Sequence, residues 1–280
     1  MIAKVSKENC ICAAGNGDGD TVARYFEQQR LQPLPTKQHT PDEAPTDASY
    51  NSVSSEHMPQ TSTAMLVALE DTIRTLFEEA IANGQRGVVE VLLVSPSVRK
   101  CSHRVLSRIF PDLLTAAIEE DYVDIVECLL EHGASANAPV SQDLPVPLCK
   151  AAALGSLDIV HVLISHGANV NVRDEATGRT ALHEAATQGD ADVVDFLLAR
   201  GADINAQDSK RSETALISAV KKGNSRVVRK LIDARAQLNV VNSFGSTALH
   251  IANVEGQREI RELLEAAGAQ VLEIPRTPRR

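Results

Sequence analysis

The sequence predicts an all-α fold: a solenoid of stacked helix–turn–helix units. Three observations lead there. The segments VPLCKAAALGSLDIVHVLISHGANVN, TALHEAATQGDADVVDFLLARGADIN and TALISAVKKGNSRVVRKLIDARAQLN begin at Val146, Thr180 and Thr214 and align without a gap, at one constant period. Each copy holds two short stretches of helical apolar spacing, neither long enough to be stable alone. Finally, the 280 residues include no Trp, 5 Phe and 3 Tyr, so Ala, Leu and Val must fill the core, which suits many thin layers.

In the copy at Thr180, the first helix carries Leu182, Ala185 and Ala186 and is broken by Gly189. The second carries Val193, Val194, Leu197 and Leu198 and ends at Gly201, where a left-handed residue caps a helix cheaply. Apolar faces this small are buried only by stacking on a neighbouring copy. A further copy starts at Asp112, one period before Val146, and another at Thr247, just under one period after Thr214. Weaker copies start at Thr75 and, weaker still, at Glu8.

Between the N-terminal helix pair (about 6–30) and the array, residues 32–63 hold five Pro, many Ser and Thr and almost no aliphatics, a composition that predicts a disordered linker. A helix is expected from about Thr63, with Leu66, Leu69, Ile73, Leu76 and Ala80 on one face. The helix pair either docks back as a cap or forms a separate small module; Ala13, Ala14, Val22, Tyr25 and Phe26 favour docking. Residues 97–111 read as a longer solvated connection or as a basic docking loop with Arg99, Lys100, His103, Arg104 and Arg108. At the C-terminal end, Arg261 and Glu265 replace Val228 and Ile232 of the preceding copy, and Asn253 stands at a usually apolar position. A terminal repeat needs such a polar outer face, so the array is expected to stop near residue 272.

The motifs Thr180-Ala-Leu-His183 and Thr247-Ala-Leu-His250, the Gly-Ala-Asn/Asp-x-Asn ends at Gly167–Asn171 and Gly201–Asn205, and the 33–34-residue period together resemble the ankyrin-repeat family. The strong match covers roughly 112–272. The resemblance implies an ankyrin-repeat solenoid with short hairpin loops between units. The expected division is 1–31, a degenerate N-terminal repeat or capping helix pair; 32–63, the linker; 64–104, a degenerate repeat; 105–273, five ankyrin repeats; and 274–280, a mobile tail. Departures occur at Thr115, Cys149 and Ile217, where the family usually has His, and at Arg235, where four other copies have Gly (133, 167, 201 and 268).

No enzyme constellation emerges. His183-Glu184 lacks the second His of a zinc-protease helix, and the expected role of His183 is a local bond near Thr180. Gly15–Gly19 lacks the preceding strand and the Lys-Ser/Thr of a phosphate loop, and is expected at a helix–helix turn. Cys10, Cys12, Cys101, Cys128 and Cys149 show no zinc-ligand spacing and their scatter suggests a reducing compartment; Cys10 and Cys12, two apart, read as buried or half-buried thiols. His132 and His166, each before a terminal Gly, are placed to meet helix C-terminal carbonyls. No metal and no cofactor is expected. A net charge of −9 disfavours a general nucleic-acid or anionic-membrane binder, no apolar run reaches membrane-spanning length, and Met1–Cys10 lacks the apolar core of a signal peptide. A cytoplasmic or nuclear location is expected.

The family resemblance implies a partner protein bound on the concave side, by hairpin tips and first-helix ends. Its offsets give the candidate contacts Arg179, Thr187, Gln188, Lys210, Arg211, Lys221, Lys222 and Phe244, with Glu213 and Ser243 also at the tips. Residues 206–240 hold eight basic side chains against three acidic ones, read either as ordinary solvated charge or as a recognition patch for an acidic segment. The function expected is a non-enzymatic protein–protein interaction module (scaffold, adaptor or stoichiometric inhibitor); the alternative is an ankyrin-fold enzyme or small-molecule binder. Thr277, followed by Pro278 and two arginines, is a candidate proline-directed phosphorylation site.

Overall fold

The computed structural model describes residues 7–30, 60–95, 102–137 and 146–270. They form fourteen helices and no strand. The chain divides into two compact units, Met1–Leu106 and Ser107–Arg280.

The first unit contains α1 (Lys7–Gly15), α2 (Gly19–Arg30), α3 (Gln60–Ala82) and α4 (Arg86–Val94). α1 packs on α3 and α2 on α4, which buries Cys10, Ala13, Ala14, Val22 and Tyr25 against the apolar faces of the longer pair. On α3, Ile73, Leu76, Phe77 and Ala80 form the buried stripe. The helix starts at Gln60, earlier than expected, immediately after Pro59, the last of the linker's prolines. The rest of the expected linker, 32–59, lies outside the described residues, as do 96–101 and the C-terminal residues 271–280.

α5 (Ser102–Glu119) runs into the second unit. The expected connection over 97–111 is therefore helical from 102 onward. Ile109, Phe110, Leu113 and Leu114 recur at helical spacing, are buried, and carry the helix through Pro111, which donates no backbone bond. The remaining helices are α6 (Val123–Glu131), α7 (Pro147–Leu154), α8 (Leu157–Ser165), α9 (Ala181–Gln188), α10 (Ala191–Ala199), α11 (Ala215–Lys222), α12 (Ser225–Asp233), α13 (Ala248–Val254) and α14 (Arg258–Ala266).

They stack in two layers. First helices α7, α9, α11 and α13 pack in succession, and second helices α6, α8, α10, α12 and α14 pack in succession behind them. Between the layers lie small aliphatics: Ala185, Ala186, Val193, Val194 and Leu197 are buried, and so are their counterparts Ala219, Val220, Val227, Val228 and Leu231. Thr214 and Thr247 cap their helices, each hydroxyl accepting from the backbone N–H three residues on, at 3.3 and 3.2 Å.

Each second helix ends in a left-handed residue. Gly133, Gly167, Gly201 and Gly268 have φ of 100, 83, 86 and 88°, and Arg235 holds the same conformation at φ 64°. Its N–H donates to Ile232 O at 2.9 Å and the next N–H, of Ala236, to Leu231 O at 2.9 Å, so the cap is closed despite the Cβ. Beyond each cap an asparagine reaches the next repeat: Asn137, Asn171, Asn205 and Asn239 accept, through Oδ1, the backbone N–H of Asn169, Asp203, Gln237 and Gln270 at 2.7–2.9 Å. Asn137 and Asn171 also donate through Nδ2 to Gly167 O and Gly201 O. At the C-terminal end, Arg261 and Glu265 stand 3.9 Å apart on the face where Val228 is buried one repeat earlier.

Candidate functional site

The hairpin tips preceding α9, α11 and α13 are built alike. Asp174, Asp208 and Asn242, each one period apart, bond through Oδ1 to backbone N–H groups further round their own tip. Neighbouring tips are joined by Ser209 N–H to Thr177 O (3.1 Å) and Ser243 N–H to Arg211 O (2.8 Å). Arg173 donates to Gln207 O and Gln207 to Val241 O, one repeat on each time. The tips are thus held in register, and the residues they carry have fixed spacing.

Between the tip of residues 208–213 and the first helices α9 and α11 lies a cavity of about 300 Å³. Five of the expected contact residues line it: Arg179, Thr187, Arg211, Lys221 and Lys222. Glu213 and Ser218 complete the lining. Gln188, Lys210 and Phe244 lie outside that lining and are exposed, Phe244 by 69% on the adjacent tip. Thr277 is outside the described residues.

Two of the four cations are bound within their own repeat. Arg179 donates from Nε to Glu184 at 2.7 Å and from Nη2 to His183 O (3.0 Å) and Thr187 Oγ1 (2.5 Å). Lys221 Nζ lies 2.8 and 3.1 Å from the two Glu213 oxygens. Glu213 is 3% exposed, so this pair neutralises a carboxylate taken almost wholly out of water. Arg211 and Lys222 are exposed and have no carboxylate partner among the described residues. The buried hydroxyl of Ser218 makes no hydrogen bond among the described residues.

Glu213 is one of the tip residues that the family offsets give, whereas Ser218 was not legible as a site from composition. Register finds Ser218: it stands one period after Glu184 and two after Lys150, both charged and both paired across this face, Lys150 with Glu119 at 2.7 Å.

The opposite side of the same repeat differs. Arg226, Arg229 and Lys230 lie on α12 and pair with Asp192, Glu259 and Asp195 of the flanking second helices at 3.2, 3.8 and 2.6 Å. All six side chains in these pairs are well exposed.

His183 is structural. The Thr180 N–H, which can only donate, lies 3.2 Å from Nδ1, so Nδ1 is the bare nitrogen and Nε2–H donates to Glu213 O at 3.0 Å. Burial holds its pKa below the ordinary imidazole value, partly opposed by that carbonyl. His132 and His166 bond through Nδ1 to Cys128 O and Val162 O at the ends of α6 and α8. The Gly15–Gly19 segment is a helix–helix turn: Gly17 has φ 76°, and Asp18 accepts the Thr21 hydroxyl and N–H, which lower its pKa. Burial pushes the Cys10 thiol up to about 11 and that of Cys149 to about 12, so both stay protonated. Cys12 is exposed rather than buried, because α1 turns it away from α3 while Cys10 faces inward. Cys101 is outside the described residues. Among the described residues no cluster of three or more His, Cys, Asp or Glu is placed to hold a metal, and no helix is long and apolar enough to cross a membrane.

Two family models match the chain. One, of ankyrin repeats (3 copies), covers residues 76–174 and 113–208; the other, of ankyrin repeats (many copies), covers 209–252. No curated protein matches it. The matched segments run without a break from 76 to 252, more than half of the 280 residues, and coincide with the stacked helix pairs. With the period, the capping threonines and the two helical layers in agreement, the chain belongs to the ankyrin-repeat family.

Proposed function

We propose that the chain is a non-enzymatic interaction module, a scaffold, adaptor or stoichiometric inhibitor, that binds an acidic segment of a partner protein across the concave face around α9 and α11. Ankyrin repeats are in general protein–protein interaction modules. The observation that carries the finer reading is the pair Arg211 and Lys222. Both are exposed, both line one cavity, and neither is neutralised among the described residues, unlike the cations of α12. Tips fixed by backbone bonds present these groups already ordered, which lowers the entropy lost on binding. Lys210 and Phe244 extend the surface with a further charge and an apolar anchor. The cavity's single carboxylate, Glu213, is bound to Lys221.

A randomised peptide library displayed on phage and selected on the full chain tests this reading. Selected sequences should be rich in Asp and Glu. The double variant Arg211→Glu, Lys222→Glu should lose them, mainly through a slower association rate that depends on salt. The double variant Arg226→Glu, Arg229→Glu, with the same change in net charge, should keep them. Equal loss from both would leave only a long-range field and overturn the groove.

A further inference from the structure

The cavity beneath the tip of residues 208–213 has a more specific chemistry than general basicity. Of its cations, Arg179 is matched to Glu184 and Lys221 to Glu213. Arg211 and Lys222 are left, two positive charges facing one space. A single carboxylate would balance only one of them. A phosphomonoester carries about −1.5 to −2 near neutral pH and offers three acceptor oxygens.

The second observation is the Ser218 hydroxyl. It is buried, lines the same cavity, and has no partner among the described residues. A hydroxyl removed from water without a partner is a cost that a bound acceptor removes. Arg211, Lys222 and Ser218 thus supply three donor groups for three oxygens. Thr187 is already engaged, donating to His183 O and accepting from Arg179. The volume, about 300 Å³, is at the small end for a ligand site and admits a phosphoryl group on a side chain. Beside it, the Phe244 tip is joined to Arg211 by the Ser243 bond, so an apolar surface lies within reach of residues flanking that side chain.

We infer that this cavity is a phosphomonoester pocket, which takes the phosphoryl group of a phosphorylated Ser or Thr side chain in the segment bound along the concave face. The inference rests on the groove reading above and adds to it that recognition is switched by phosphorylation of the partner.

The test uses the full chain and three peptides, Ala-Ala-X-Ala-Ala with X phosphoserine, glutamate or serine, together with inorganic phosphate. Binding is followed at constant ionic strength through backbone amide NMR shifts. The phosphoserine peptide should saturate at least tenfold more tightly than the glutamate peptide, with shifts centred on Arg211, Glu213, Ser218 and Lys222. Its affinity should fall about tenfold between about pH 7.5 and pH 5, as the phosphate takes up its second proton near pH 6. Arg211→Gln and Ser218→Ala should each weaken it at least fivefold; Arg226→Gln should leave it unchanged. Arg211 is exposed, so its variant tests the pocket without disturbing the core. If the glutamate peptide binds as well as the phosphoserine one and both depend on Arg211, the pocket is overturned and the acidic groove stands. Saturation by inorganic phosphate with no gain from the peptide would overturn the side-chain source. An affinity that is flat with pH, or indifferent to Arg211→Gln, would overturn the pocket altogether.

Discussion

Two consecutive repeats use the same position with opposite charge. The residue just before the capping threonine is Arg179 in one repeat and Glu213 in the next. Arg179 reaches forward five residues to Glu184 and eight to Thr187, and both are satisfied by it. Glu213 reaches eight residues, to Lys221. The residue five on is Ser218, whose hydroxyl is left without a partner among the described residues. The Arg179 guanidinium serves three acceptors at once, whereas both Glu213 oxygens face Lys221 Nζ and the Ser218 hydroxyl bonds to neither. One repeat therefore closes its own polar network, and the next leaves a donor and two cations turned to a cavity. The backbone register is common to both; the difference in openness follows from the side chains at three equivalent positions, Arg179/Glu213, Glu184/Ser218 and Thr187/Lys221.

Leu197→Ala should break the comparison altogether. Leu197 is fully buried on α10, in the layer both repeats lean on, and its truncation should cost about 2–5 kcal/mol in chemical denaturation. Both tips should then loosen together, seen as line broadening at Arg179 and Arg211 alike.

Glu213→Gln sharpens it. The carboxylate side chain is 5% exposed and Lys221 34%, so removing the charge should lower stability by about 2 kcal/mol, less than for a fully buried pair. Glu184→Gln, where the side chain is 25% exposed and the arginine keeps its other two acceptors, should cost about 1 kcal/mol or less. The same urea titration measures both; an equal cost would remove the distinction between the two networks.

His183 links the repeats, since it caps at Thr180 and donates to Glu213 O. Its folded pKa is lowered, first by burial, from the ordinary 6.5. Below that value the unfolded chain takes up a proton that the folded chain refuses, so stability is full above about pH 6.5 and declines as pH falls toward the folded value. His183→Gln should flatten that part of the wild-type curve; a wild-type and variant difference that is constant with pH would contradict it.

Arg235→Gly should raise stability by about 1 kcal/mol, because the left-handed conformation at φ 64° disfavours a Cβ. An unchanged unfolding midpoint would mean that the Arg235 stem offsets the strain by packing. Smallest of all, Asp192→Asn should change stability by less than about 0.5 kcal/mol, since its pair with Arg226 is exposed on both sides. A larger loss would place the convex charges on a par with the tip network.

Much of the fold was legible in the sequence because the repeat imposes one register on every copy. The period located the left-handed ends of the second helices, at Gly133, Gly167, Gly201 and Gly268 and at Arg235, and the structure has each there. Where the register was weak, local composition misled. Residues 102–111 carry enough basic side chains to read as a loop, yet Ile109 and Phe110 continue the apolar stripe of α5 and decide for helix. Offsets placed five candidate residues around one cavity, but they could not tell a free cation from a paired one. Arg179 and Lys221 are held within their own repeats, and whether a lysine finds a carboxylate depends on burial at Glu213, which no single-residue pattern encodes.

The row of asparagines along the array has a consequence for how the stack comes apart. Each of Asn171 and Asn205 ties its repeat forward through its own side chain, and each repeat is also held backward by the preceding asparagine. An interior unit can leave only by breaking rungs on both sides, whereas the last one, held at Gln270 by Asn239, breaks a single rung. Nearest-neighbour arrays lose order where the fewest rungs must break. Among the described residues the two end units of the row, behind the Asn137 rung and beyond the Asn239 rung, thus open before any interior one, and the unit beyond Asn239 is the one next to the basic repeat. A protease or an unfoldase engaging there meets the repeats one at a time, and reaches the Arg211–Lys222 cavity only after the terminal unit has been peeled away.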